Sequence, residues 1–160
     1  MSQSLETNFE IFDSGDFLRL EPFQAFRSAS TEDWDRNWVR TRITIKARAF
    51  SGQYVADFMT TEFELLKRSF KRLYKELNGT ESFEPIEGQL ILTISGDGLG
   101  HFKVKCLAQD RPGDGGTLSI LLSFDQTDLA RRIIELEKIT KAFPILGNMC
   151  KYPLSQTAFE

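Results

Sequence analysis

Apolar side chains recur every three or four residues in two stretches of the chain. Phe63, Leu66, Phe70, Leu73 and Leu77 line one face of a helix predicted over 61–78. Thr61 with Glu64 fits a capping box, and Gly79 stands where a C′ glycine belongs. Leu129, Ile133, Leu136, Ile139 and Phe143 make the stripe of a second helix over 125–143. Asp125 or Thr127 can cap its start, and Pro144 prevents its regular continuation.

Between and before these helices the period falls to two. Val39, Thr41, Ile43, Ile45, Ala47 and Ala49 alternate with Arg40, Arg42, Thr44, Lys46 and Arg48. That pattern predicts a strand over 38–49 with one buried face and one wet, basic face. Ser51-Gly52 reads as the turn into a partner strand over 53–58. Leu90, Leu92 and Ile94 mark another strand, which ends at Gly96-Asp97-Gly98-Leu99-Gly100, and Phe102, Val104, Cys106 and Ala108 mark its hairpin partner. A strand over 117–124 follows a Gly-rich loop, and shorter strands are predicted over 9–12, 17–21 and 81–86.

These elements predict an α+β fold: mainly an antiparallel sheet with two long helices packed on one face. The helix stripes match at an offset of 66 positions, from Phe63 against Leu129 to Leu77 against Phe143. A duplicated hairpin-helix unit accounts for this, and so does chance phasing of two amphipathic helices. No linker divides the chain, so residues 1–160 are expected to form one domain. Residues 151–160 lack periodicity and read as a loose or docked tail.

Composition narrows the function classes. Twenty basic against 23 acidic side chains leave a net charge of -3, which argues against a dedicated nucleic-acid binder. Fourteen phenylalanines call for a packed core. Two cysteines and one histidine make neither a disulfide framework nor a zinc site. The N-terminus shows no secretory signal, and no apolar run approaches the roughly 20 residues that span a bilayer. The expected setting is the cytoplasm, with Cys106 buried in a strand and Cys150 more accessible.

No catalytic constellation is readable, and no cofactor is expected. His101 has Asp97 nearby but no nucleophile in a recognisable setting. The glycines of 96–100 join two strands, whereas a phosphate loop opens a helix, so they read as a hairpin turn. Lys67, Arg68, Lys71, Arg72 and Lys75 repeat along the outer face of the first helix and read as solvated. Residues 79–100 hold Glu81, Glu84, Glu87 and Asp97 and no basic residue, which reads first as a solvated acidic surface and otherwise as an electrostatic docking surface or a counter-charge for the basic strand face. Trp34 and Trp38 flank Asp35-Arg36-Asn37; Trp38 opens the long strand, and Trp34 is a candidate anchor. The candidate partner-binding residues are therefore Trp34, Asp35, Glu84, Glu87 and Asp97. The partner they suit is another protein; neither nucleic acid nor a membrane is expected, and a homodimer is compatible with the same features.

Four motifs in order carry a family resemblance: Asp33-Trp34-Asp35-Arg36-Asn37-Trp38, Phe83-Glu84-Pro85-Ile86-Glu87-Gly88, Gly96-Asp97-Gly98-Leu99-Gly100-His101 and Phe143-Pro144-Ile145-Leu146-Gly147. Over residues 17–147 the chain resembles the bacterial immunity proteins of the WapI family. The resemblance implies a small cytosolic antitoxin that binds and neutralises a nuclease toxin domain, with no enzymatic activity. The competing reading is a protein-interaction domain that faces no toxin. The motifs look like determinants of fold, so the resemblance assigns no contact residues.

Overall fold

The computed structural model describes residues 7–26 and 34–147. The chain runs through β1 (Phe9–Asp13), β2 (Asp16–Phe26), a 3-10 turn (Trp34–Arg36), β3 (Trp38–Ala47), β4 (Phe50–Met59) and α1 (Thr60–Glu76). It then repeats the pattern with β5 (Asn78–Phe83), β6 (Leu90–Asp97), β7 (His101–Gln109), β8 (Thr117–Asp125) and α2 (Gln126–Ala142). The α+β class and the antiparallel pairing agree with the sequence pattern. The strands form two four-stranded sheets, β1-β2-β3-β4 and β5-β6-β7-β8, where one sheet was expected. Periodicity shows which face of a strand is buried but not which strands share a sheet. Each half is a four-stranded meander followed by a 17-residue helix, and α2 begins and ends 66 positions after α1. The repeated unit is thus larger than a hairpin and a helix.

The two halves share one core. α1 packs against α2 and β5, while α2 packs against β1 and β8. Each helix therefore lies against a strand of the other half. Phe70 of α1 stands edge-on to Phe9 of β1 at 5.4 Å and stacks on Phe124 of β8 at 6.2 Å; Phe124 in turn stacks on Phe102 at 5.3 Å. Phe9 and Phe70 are fully buried and Phe102 nearly so. Burial of each large apolar side chain stabilises the fold by about 1.5–3 kcal/mol. Cys106 is buried as its strand phase predicts, and burial pushes its thiol up to about 12. Cys150, Asp33 and the expected tail lie outside the described residues.

Several boundaries differ from the pattern-based expectation. The β3–β4 turn is Arg48-Ala49, with Arg48 at φ 54, so β3 stops at Ala47 and Ser51-Gly52 lies inside β4. α1 starts at Thr60 with Glu62 as its capping carboxylate: Glu62 Oε2 accepts the Met59 N–H at 2.8 Å, in place of the Thr61/Glu64 pair. It ends with Leu77 left-handed at φ 62, and Asn78 already opens β5. At the start of α2 Asp125 is the cap, accepting the Asp128 N–H at 3.1 Å. β2 continues past Pro22 to Phe26 because β1 pairs only with residues 16–20; beyond them the missing proline N–H falls on an unpaired side.

Candidate functional site

The Trp34–Trp38 segment is built around Asn37, which is fully buried. Its Oδ1 accepts the Leu146 N–H at 2.8 Å and the Thr60 hydroxyl at 2.7 Å. Its Nδ2 donates to the Leu146 carbonyl at 2.9 Å, and its own carbonyl accepts the Thr60 N–H at 2.8 Å. One amide thus ties the entry of β3, the start of α1 and the segment after α2. Held this way, Trp34 and Trp38 meet edge-on, with ring centroids 6.4 Å apart, and both stay half-exposed. Asp35 is exposed.

Beside Trp38 a groove of about 880 Å³ opens between the two sheets. Phe26, Trp38 and Val55 wall it from the first sheet, and Glu87, Asp110 and Arg111 face it from the loops that join β5 to β6 and β7 to β8. Arg40 also lines it, lying over the Phe26 ring at 4.3 Å and reaching Asp57 at 3.4 Å. The groove is therefore aromatic on one side and mixed, with an acidic excess, around its mouth. Phe23, also in its wall, is 47% exposed and lies just past the irregular register at Pro22. The sequence reading missed Phe23, Phe26, Val55, Asp110 and Arg111. The signal for Phe23 was its place next to Pro22, where regular pairing fails; nothing in the sequence marks Phe26, which pairs in register with Trp38.

The predicted site residues do not converge on one place. Glu87 lines this groove together with Trp38, the ring neighbour of Trp34. Glu84 is exposed just past β5. Asp97 lines a different groove, with Asp13, His101, Lys103 and Asp128. There its Oδ1 accepts the Leu99 N–H at 2.7 Å and its Oδ2 meets His101 Nδ1 at 2.9 Å. The Leu99 N–H, followed by His101, holds this carboxylate below its usual range. These bonds build the turn and leave the imidazole exposed, and among the described residues no nucleophile is bonded to it.

Counter-charges are local rather than across the sheet. Glu81 pairs with Arg72 of α1, so it does not serve the basic face of β3, which belongs to the other sheet. On that face Arg40 pairs with Asp57 and Arg42 lies over Phe23 at 5.5 Å. Along α1, Lys67 pairs with Glu64 and donates to the Thr140 hydroxyl of α2, and Lys71 pairs with Glu137 of α2, so two of the cations expected to be solvated tie the helices together. Among the described residues no group of three or more His, Cys, Asp or Glu is placed to hold a metal. No helix among them is long and apolar enough to cross a membrane.

The glycine turn of 96–100 sits where the two helices meet the second sheet. Gly98 N–H donates to the Leu77 carbonyl at the end of α1, and the Gly100 carbonyl accepts the first N–H of α2, that of Gln126. In their described residues the first, third and fourth motifs thus lie at junctions of elements. The family model of the immunity protein WapI-like family matches residues 9–144, which contain most of that series. The chain belongs to the WapI-like immunity protein family. No curated protein sequence matches it.

Two solved structures show how this WapI-like chain compares in shape. It is similar to the MRP1/MRP2 proteins of Trypanosoma bruciei at 12% identity and a TM-score of 0.50, covering 88% of this chain and 89% of that one. It is also similar to the plant transcriptional regulator PBF-2 at 15% identity and a TM-score of 0.47, covering 96% of each chain. At 12% identity the first likeness speaks for the fold alone.

Proposed function

We propose that this protein is a cytoplasmic immunity protein that binds a bacterial nuclease toxin domain and neutralises it without catalysis of its own. The observation that carries this reading is membership of the WapI-like family over residues 9–144. The site supports it in kind. Inhibition by binding needs a rigid scaffold, an anchor and complementary charge, and no reacting group. Trp34 and Trp38 supply aromatic area fixed by Asn37, and Glu87 and Asp110 supply negative charge beside them. Nuclease domains that grip phosphates are basic, so such a face suits them. Trp34, Asp35, Glu84 and Glu87 make the proposed contact, and Asp97 in its separate groove adds charge to the steering field.

The test is co-expression with the toxin domain encoded by the adjacent gene. Co-purification of the two chains and rescue of growth are the expected results. Failure of both overturns the immunity reading and leaves an interaction domain for another protein.

A further inference from the structure

We propose that the free edge of β4 pairs two copies of this chain into a symmetric dimer. The proposal does not rest on the immunity reading, although Val55, at one end of the pairing segment, also walls the groove beside Trp38. β4 is the last strand of its sheet, and no strand among the described residues pairs with its outer side. Natural edges are guarded by charges, prolines, bulges or a covering element. Residues 50–56, Phe-Ser-Gly-Gln-Tyr-Val-Ala, contain neither charge nor proline. Their register with β3 runs without a bulge. Most of the segment is exposed, Phe50 at 66% and Val55 at 46%.

The hydrogen-bonding phase of this edge follows from the turn. A two-residue loop makes Ala47 and Phe50 a hydrogen-bonded closing pair, and bonded and non-bonded pairs then alternate along the ladder. Even-numbered residues of β4 therefore turn their N–H and C=O toward β3. The Thr60 N–H, which donates back to the Asn37 carbonyl beside β3, keeps the same phase. Ser51, Gln53 and Val55 consequently present their backbone groups outward, ready for another strand.

A second copy fits this edge in an antiparallel register centred on Gln53. Gln53 then meets its own copy across the two-fold axis, and Ser51 meets Val55. These are the residues whose bonding groups point outward, so every pair exchanges hydrogen bonds. On the inner face Tyr54 lies opposite Gly52, and the exposed Phe50 ring lies opposite Ala56. No like charges meet within the segment. The first ionisable residues beyond it are Arg48 and Asp57, and this register sets Asp57 of each copy one position from Arg48 of the other. The charge pattern is thus complementary at both ends.

The experiment uses sedimentation of the full chain over a wide concentration range. A monomer–dimer equilibrium is expected. Gln53→Lys and Gln53→Glu, each alone, set like charges opposite one another and weaken the dimer by about tenfold or more, while their mixture restores it as a heterodimer. Residue 53 lies on the exposed face, so melting temperatures close to that of the unaltered protein confirm that both variants fold. In a Cys150→Ser background, Gln53→Cys gives a disulfide-linked dimer under mild oxidation, because bonded antiparallel partners sit about 5.5 Å apart at Cα. A monomer at all concentrations overturns the proposal. So does a dimer that neither charge variant weakens and that Gln53→Cys does not link.

Discussion

Leu66 and Arg132 hold the same core-facing place on the two helices, 66 positions apart. Leu66 is fully buried, and Arg132 is only 7% exposed. The guanidinium reaches Glu135 at 3.3 Å, but among the described residues its Nε finds no hydrogen-bond partner. Glu135 also accepts the Glu10 N–H at 3.1 Å. A buried ion pair with an unsatisfied donor contributes little, because desolvation offsets the attraction. The double change Arg132→Met with Glu135→Gln keeps the bond to Glu10 and removes both charges. It should raise stability by about 1–3 kcal/mol in chemical denaturation. Glu135→Gln alone should lower it, since it leaves the buried cation without its counter-charge. Equal losses from the single and double changes would show that the pair stabilises the helix.

Asn37→Ala removes the side-chain bonds that join β3, α1 and the segment after α2. The Thr60 hydroxyl loses its partner in a buried site, and the Leu146 N–H and carbonyl lose theirs in a partly buried one. The expected cost is about 2–4 kcal/mol, read as a lower denaturation midpoint with an unchanged slope. Asn37→Asp should fall short of full rescue, because it cannot donate to the Leu146 carbonyl. A loss below about 1 kcal/mol would place the junction's stability elsewhere.

Gly96 has an ordinary backbone angle, yet a Cβ there would run into the Leu77 carbonyl oxygen and the Phe102 ring. The close approach lets the 96–100 turn receive the end of α1. Gly96→Ala should cost about 1–3 kcal/mol through overpacking. Gly52→Ala, with nothing near its Cβ, should be close to neutral. Equal effects at the two sites would argue that strand propensity, not contact, decides both.

The pH dependence has a definite sign at Glu62. Burial raises its carboxyl above the usual 4.5, although the Ile86 and Met59 N–H groups pull the other way. The folded state then holds its proton more tightly than the unfolded chain. Between pH 4.5 and the folded value the folded state binds more protons, so this group's contribution falls as pH rises. Glu62→Gln does not titrate. Measured from about pH 4 to about pH 7, the stability of Glu62→Gln minus that of the unaltered protein should move in the variant's favour. A constant difference across that range would show that folding leaves the affinity of this carboxyl for its proton unchanged.

These sites show what a single sequence made legible. The helix stripes from Phe63 to Leu77 and from Leu129 to Phe143, and the alternation of β3, came directly from apolar spacing. The 66-position offset pointed to a repeat, because a packed helix must keep the same face toward the core in both halves. The division into two sheets was not legible, since the face-by-face pattern of β5 is the same whether it joins β4 or only β6. The Arg48-Ala49 turn hid behind a continued alternation, and only a positive φ at Arg48 ends it. Of the groove's lining, the sequence singled out Trp38, as the residue that opens β3, and Glu87, as part of an acidic run. Its remaining walls came from strands whose adjacency the sequence does not print.

The last prediction concerns the toxin contact. If Glu84, Glu87 and their neighbours steer a basic partner, association should slow as salt rises, because exposed charges are screened within about 10 Å at 0.1 M. Glu87→Lys, at the groove, should then lower the on-rate more than it raises the off-rate. Trp34→Ala removes an aromatic anchor and should instead raise the off-rate. Asp97→Asn separates a local face from a general field. Its carboxylate is already engaged by the Leu99 N–H and His101, in a groove apart from Glu87. It should therefore change the on-rate less than Glu87→Lys does, even after allowance for the smaller change in charge. Stopped-flow kinetics with the purified toxin domain at several salt concentrations measures all three variants. A larger effect from Asp97→Asn than from Glu87→Lys would move the docking face to the groove around His101, and on-rates indifferent to salt would remove steering from the mechanism.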